Sequence, residues 1–407
     1  MPLGMIVSGN DACELLPPLR GWLPIALQLE SRRVIRIINK ENMQSKQNRT
    51  LSLGLILNLL VCCCATAAAV TRSLPLAVLT SLTAQSSAPV QAEPSPAPAR
   101  WRGLIGEYGP DNDILIIFEK DARLCALFKR ADFAPLTELS SDIFRFPELG
   151  PRSTQMLIFD RDARGRATQV AFENTVLKRR QIEPESGNQL RVKPQRPVPE
   201  LMKEALAAQP PPENGEFRQA DLVELTKLDP TIKLEIRYAT TNNFLGTVFY
   251  SEARAFMQRP AAEAVVRANR KLKGLGYGLL VHDAYRPWYV TKVFWDATPD
   301  DKKVFVADPA KGSRHNRGCA VDLTLYDLKT KKPVEMVSTY DETTARAYPD
   351  YPGGTSLQRW HRKLLRDAME AEGFTVYEAE WWHFDYKDWR MYRIGNVTFK
   401  QVQNRKR

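Results

Sequence analysis

"SRHNRGCAVDLTLY", residues 313–326, joins a polar loop to an alternating run, and it carries one of only four histidines in 407 residues. From Cys319 the period of two puts Cys319, Val321, Leu323 and Leu325 on one face and Ala320, Asp322, Thr324 and Tyr326 on the other, the pattern of a strand. Asp322 therefore leaves the apolar face. Gly318 permits a sharp turn between loop and strand, so His315 can fold back over the side on which Asp322 projects. A histidine and a carboxylate meeting at a strand end are two ligands in search of a third. "EAEWWHF" (residues 378–384) offers His383, with Glu380 three residues before it. Two imidazoles and one carboxylate leave a fourth tetrahedral position for water, the catalytic kind of zinc site, with Glu380 as the base. In a regular strand an offset of three sends side chains to opposite faces. The backbone must therefore bulge at Trp381 and Trp382 for Glu380 and His383 to converge. Taken singly, each histidine reads more readily as a surface or satisfied core residue than as a ligand; only the two motifs together reverse that reading.

The rest of residues 217–407 reads as mixed α and β. "RPAAEAVVRANRKLKGLG" (259–276) spaces its apolar residues as a helix does and stops on glycine, and "YGLLVHDAYRP" (277–287) is a strand leaving the core. "SLQRWHRKLLRDAMEAEG" (356–373) is an amphipathic helix, with His361 solvated or half-buried on it, and "FTVYEAEWWHFDY" (374–386) is an aromatic-rich strand. Upstream lie short alternating runs, among them "DILIIFEKDARLCALFK" (113–129) and "QMLIFDRDARGRATQVAFE" (155–173), separated by turn signals. They predict a small all-β, barrel-like module over 101–180. This module is similar to the lipocalin-like accessory barrels of some secreted bacterial hydrolases, and it either binds polymer or braces its neighbour. A Pro-, Gln- and Glu-rich linker with one short helix covers 181–216. The fold class expected is α+β, a mixed catalytic domain over 217–407 behind an all-β module.

With 43% hydrophobic and 26% charged residues the chain has material for two ordinary cores and connecting segments. A formal charge of +11 suits an anionic surface, for which nucleic acid, membrane or an acidic wall polymer would all serve, and it reads first as no more than a basic soluble surface. The chain has no arginine-rich run interleaved with aromatics, so nucleic acid is not an expected partner. "LSLGLILNLLVCCCATAAAV" (51–70) follows Lys46 and Arg49 and offers Ala-x-Ala sites at Ala65 to Ala67 or Ala67 to Ala69. It reads as a secretory signal within a leader spanning 1–70, Met43 being the more ordinary start. The expected location is periplasmic or otherwise extracytoplasmic, and the membrane is touched only if the leader stays uncleaved. Residues 71–100 form a Pro/Ala-rich linker. Of six cysteines, only Cys125 and Cys319 lie beyond the leader, which makes no disulfide framework and leaves Cys319 a small apolar filler.

"SRHNRGCAVD" followed by "EAEWWH" resembles the Ser-x-His-x6-Asp and Glu-x-x-His signatures of the D-alanyl-D-alanine dipeptidases of the VanX type, a group of zinc peptidases acting on D-amino-acid peptides of the cell wall. "IRYATTNNFLG" (236–246) and "HDAYRP" (282–287) stand upstream as they do in that family, and the resemblance covers about residues 235–386. It implies one Zn2+ held by His315, Asp322 and His383, and Glu380 as general base on a zinc-bound water. Arg286 is implied to stabilise the oxyanion, and Tyr238, Ser313 and Asp341 to line the substrate site. The implied reaction is hydrolysis of D-alanyl-D-alanine, with a small D-amino-acid dipeptide, or cell-wall peptides, as partner. Asp341 reads equally as a helix N-cap and Tyr238 as a core aromatic. Two other functions stay open: a D,D- or L,D-carboxypeptidase or endopeptidase on longer peptidoglycan peptides, and a non-catalytic, zinc-stabilised wall-binding protein. A retained Glu380 speaks against the last, since a structural zinc site needs no base.

Overall fold

The computed structural model describes residues 92–129, 132–182 and 191–404. The leader, its cleavage sites and most of the first linker lie outside the described residues, which all belong to one unit beginning at Pro89. No helix among them is long and apolar enough to cross a membrane.

The alternating runs of the first part build β1 (Gly106–Tyr108), β2 (Leu115–Lys120), β3 (Arg123–Phe128), β4 (Asp132–Pro135), β5 (Thr137–Glu138), β6 (Ile143–Arg145), β7 (Met156–Arg161), β8 (Ala167–Phe172) and β9 (Thr175–Lys178). They form two antiparallel sheets, β1-β2-β3-β4 and β5-β6-β7-β8-β9, not the closed barrel expected from the pattern. The two sheets touch at two seams without merging into one ladder. Past Pro135 the Leu136 N–H still donates to the Leu124 carbonyl at 2.8 Å, and at the opposite seam a bridge from Tyr108 to Arg179 is flanked by Gly109 N–H to the Lys178 carbonyl at 2.9 Å and Arg180 N–H to that of Glu107 at 2.8 Å.

Strands β2 and β3 are buried on both faces, and alternation divides their side chains between two cores. Leu115, Ile117, Leu124, Ala126 and Phe128 pack with Tyr108, Phe144 and Phe159 inside the β region. Ile116, Phe118, Cys125 and Leu127 point the other way and join the core of the C-terminal part. Polar contacts reinforce this seam. The Glu119 carboxylate is 2% exposed and accepts from the backbone N–H of Ser356 at 2.6 Å, the Ser356 hydroxyl at 3.1 Å and the Ala122 N–H at 2.9 Å. Glu119→Ala would leave the half-buried Ser356 N–H without its acceptor, so it is expected to lower stability by about 0.5–1.5 kcal/mol. Urea unfolding followed by tryptophan fluorescence checks this, and an unchanged midpoint would mean that the β region does not brace the rest.

The C-terminal part contains α1 (Val198–Ala207), β10 (Leu222–Glu224), β11 (Lys233–Leu234), β12 (Phe256–Gln258), α2 (Arg259–Lys273), β13 (Tyr277–Asp283), α3 (Trp288–Ala297), β14 (Ala320–Asp327), α4 (Ser356–Glu370), β15 (Phe374–Tyr377) and β16 (Glu380–Tyr386). Five strands make one sheet in the order β11-β13-β14-β16-β15, antiparallel except for the β11–β13 pair. Helix α2 buries Ala261, Val265, Ala268 and Leu272, one helical stripe, against this sheet. Helix α4 starts on a capping box in which the Thr355 hydroxyl and the Gln358 side chain satisfy each other's backbone N–H groups.

Two readings change here. The stretch 374–386 is a hairpin, not one strand: a tight turn at Glu378 and Ala379 separates β15 from β16. Thirteen extended residues would outrun the usual strand length of about five or six. Residues 191–196 are tied to the core, with Val192 N–H donating to the Phe244 carbonyl at 2.8 Å and Gln195 N–H to that of Ala297 at 2.9 Å.

Candidate metal centre and active site

Asp322 on β14 stands directly opposite His383 on β16, so cross-strand pairing alone brings the two side chains together. His315 reaches them from a single 3-10 turn, His315–Arg317, which Gly318 ends in the left-handed region with φ 67°. A side chain at Gly318 would also press on Leu222, which its Cβ would meet at 2.5 Å. His383 Nδ1 lies 3.0 Å from Asp322 Oδ1 and 3.1 Å from His315 Nε2, and His315 Nε2 lies 3.3 Å from Asp322 Oδ1. All three residues are buried, and their ligand atoms fall within 4.8 Å of one another.

The remaining ring nitrogens are already committed. His315 Nδ1 faces the Ala284 carbonyl at 2.7 Å and can only donate to it, which leaves the Nε2 lone pair for the cluster. His383 Nε2 faces Asp385 Oδ1 at 2.9 Å, which leaves Nδ1. Burial opposes ionisation of Asp322, but His315 and His383 outweigh it and hold the carboxyl well below the usual range. Two imidazole lone pairs and an ionised carboxylate on one point are a donor set that fits zinc.

Glu380 joins this group because the ladder breaks where its geometry requires. Val376 faces Phe384 and Tyr377 faces Glu380, so Trp381, Trp382 and His383 have no partner on β15. The bulge carries Glu380 Oε2 to 3.8 Å from His383 Nδ1. Burial, against the pull of His383, pushes the Glu380 carboxyl up to about 8. Trp382 lines the pocket, and Trp381 donates to the Ser338 hydroxyl at 2.8 Å.

Arg286 follows β13 and is fixed by Asp283, whose Oδ2 accepts from Nε at 2.9 Å and from Nη2 at 2.8 Å. Its guanidinium lies over the rings of Phe294 at 4.9 Å and Tyr238 at 5.2 Å, and 3.7 Å from Asp322 Oδ2. Tyr238 is buried and donates to the Asp341 carboxylate at 2.9 Å. No helix starts at Asp341; the next turn begins at Ala345 and is capped by Thr344, so the N-cap reading does not hold. Asp341 instead sits in the left-handed region at φ 59°, which aspartate tolerates better than most side chains, and burial, with Asp322 nearby, pushes its carboxyl up to about 7. The Ser313 hydroxyl accepts from the His315 N–H at 3.2 Å. Arg286, Tyr238, Ser313, Asp341 and Glu380 all line one cavity of about 110 Å³ with the His-Asp-His cluster.

Three residues of this site went unnoticed in the sequence. Asp385 sits two positions after His383, on the same strand face, a spacing that could have marked it. Asp283 precedes Arg286 by three and was visible in "HDAYRP". Tyr340, whose hydroxyl donates to Asp322 Oδ2 at 3.0 Å, lies in a loop that carries no such signal. His282 is buried and stacked on Tyr340 at 4.7 Å, behind the site. His361 is buried against the Tyr277 hydroxyl at 3.1 Å, contrary to the solvated reading, and Cys319 is wholly buried, its thiol pushed up to about 12 by burial.

Against known proteins, the model for D-Ala-D-Ala dipeptidases of peptidase family M15 matches residues 218–403. A D-alanyl-D-alanine dipeptidase of Escherichia coli (strain K12) is 33% identical over 165 residues, which are 40% of this chain and 84% of the relative. The chain belongs to this family. It is a metallopeptidase. A family dipeptidase from Enterococcus faecalis (strain ATCC 700802 / V583) is 33% identical over 178 residues, 39% of this chain and 87% of that protein. One from Streptomyces coelicolor (strain ATCC BAA-471 / A3(2) / M145) is 30% identical over 186 residues, 41% of this chain and 92% of that protein. The solved LdcB LD-carboxypeptidase covers 48% of this chain and 77% of its own, at 20% identity and a TM-score of 0.25. The M15 match starts beyond the β region, so β1 to β9 are this chain's addition to the matched domain.

Proposed function

We propose that the chain is a zinc-dependent dipeptidase that hydrolyses D-alanyl-D-alanine to two D-alanines. The observation that carries this is the cluster of His315, Asp322 and His383 sharing one small cavity with Glu380 and Arg286. His315, Asp322 and His383 would hold the ion, which supplies Lewis acidity when bound. Glu380 takes the proton of the attacking water and delivers it to the departing amine, acting as base and then acid; a carboxyl raised toward neutrality suits both roles. Arg286, held rigid by Asp283, donates to the oxygen on which negative charge develops. Asp341 receives the substrate's ammonium, and the Tyr238 hydroxyl orients that carboxylate. The Ser313 hydroxyl steadies the loop that carries His315 and reaches the same cavity. Among the described residues no fourth ligand joins the cluster, which supports a catalytic over a structural ion.

Asp341, a carboxyl in the cavity that also holds Glu380 and the His-Asp-His cluster, suits a substrate with a free ammonium, as a dipeptide has. A charge-assisted hydrogen bond from ammonium to a buried carboxylate is worth about 1.5–3 kcal/mol, so Asp341→Asn is expected to lower kcat/KM for D-Ala-D-Ala roughly ten- to a hundredfold. The N-acetylated dipeptide, which lacks the ammonium, should be affected far less. Steady-state kinetics on both substrates test the reading. If the unaltered enzyme already cleaves the N-acetylated dipeptide or a pentapeptide stem as well as the free one, the carboxypeptidase reading replaces it.

A further inference from the structure

The dipeptide of the proposed function is a zwitterion, and an extended pair of residues holds its two charged ends about 7 Å apart. Asp341 answers the ammonium; the carboxylate end needs a cation that is not already engaged. Three cationic side chains besides the histidines line the cavity: Arg286, Arg314 and Lys302. Arg286 pairs with Asp283 at 2.8 Å and is the group assigned to the oxygen of the scissile bond, so it does not serve the carboxylate end. Arg314 Nε lies 3.4 Å from Asp385 Oδ2 without a hydrogen bond to it, and the guanidinium lies over the Trp389 ring at 4.9 Å, so its charge is shared with a carboxylate and a ring. Lys302 sits on the 3-10 turn Asp300–Phe305, is half-buried, and makes no ion pair among the described residues. Its neighbour Lys303 does, meeting Asp300 at 2.7 Å and the Trp295 ring at 4.9 Å, so the same turn holds one engaged lysine and one left over.

We infer that Lys302 is the residue that receives the substrate's C-terminal carboxylate, and so sets the preference for a free C-terminus. The inference rests on the dipeptidase reading. Phe305 and Val306 of the same segment line the cavity beside it, giving the terminal methyl an apolar wall and lowering the local dielectric in which the ion pair forms. A lysine is well matched to this role, being a compact charge on a flexible stem that can follow a carboxylate in and out. Asp341 and Lys302 both line the cavity and would supply opposite charges to the substrate's two termini, while Glu380 and Arg286, which also line it, serve the peptide bond.

The test compares D-Ala-D-Ala with D-Ala-D-alaninamide, which has a neutral C-terminus. Lys302→Met is expected to raise KM for the free dipeptide roughly ten- to a hundredfold with kcat little changed, to leave the amide's kcat/KM unchanged, and to be largely rescued by Lys302→Arg. Calorimetric binding of the two ligands to the Glu380→Gln protein, with and without Lys302→Met, reads the same difference without turnover. An equal loss on both ligands, or none on either, overturns the assignment. Failure of the unaltered enzyme to hydrolyse D-Ala-D-Ala counts against the proposed function, whereas the calorimetric comparison judges Lys302 by itself.

Discussion

Glu380→Gln is expected to keep a full complement of metal and to lose at least about a hundredfold in turnover, the usual worth of a positioned general base. Glutamine has nearly the same shape, and Glu380 is not one of the three residues whose ligand atoms converge. What the amide lacks is the ability to accept a proton. The backbone should tolerate the change, because Glu380 is placed by the break in pairing between β15 and β16 and not by its own charge. Metal content measured beside steady-state kinetics separates the outcomes. An active Glu380→Gln enzyme would show that another group takes the proton, and one that has lost its metal would place Glu380 among the ligands.

The elements that could be read from the sequence are those whose logic is local. β14 announces itself by period two, α2 and α4 by their apolar stripes, and the meeting of His315 with Asp322 follows from a glycine turn before a strand. The conflict of spacing between Glu380 and His383 was legible too, because a two-residue period makes a three-residue offset impossible without a bulge. Less of the environment could be read. β14 is buried on both faces, and the period of two showed which side Asp322 takes but not that this side is covered. The barrel failed to close because closure depends on what the first and last strands do to each other, which no single strand encodes. Asp283, Asp385 and Tyr340 hold Arg286, His383 and Asp322 through contacts made only once β13, β14 and β16 lie side by side. Alternation in β2 and β3 showed two strands but not that their outer face is apolar because a second core covers it.

His315→Ala is expected to abolish stoichiometric zinc binding and, with it, at least about a thousandfold in turnover, since metal-ion catalysis supplies several kcal/mol at about 1.4 kcal/mol per decade. Asp322→Asn should behave alike: it removes the ionised donor that both imidazoles surround at 3.0 and 3.3 Å. Asp385→Asn should fall between these and the unaltered enzyme. Asp385 touches no shared ligand point but holds His383 Nε2 at 2.9 Å and so fixes which nitrogen faces the cluster; losses of such orienting partners weaken metal binding by about 10- to 100-fold. Thermal unfolding gives a readout independent of activity. A ligand that binds only the folded state adds about 2.7 kcal/mol at a hundred times its Kd, so added zinc should raise Tm for the metal-free unaltered protein, less for Asp385→Asn at the same zinc, and not at all for His315→Ala. A His315→Ala protein that still takes up one zinc per chain and is stabilised by it would move the metal centre away from the His-Asp-His cluster.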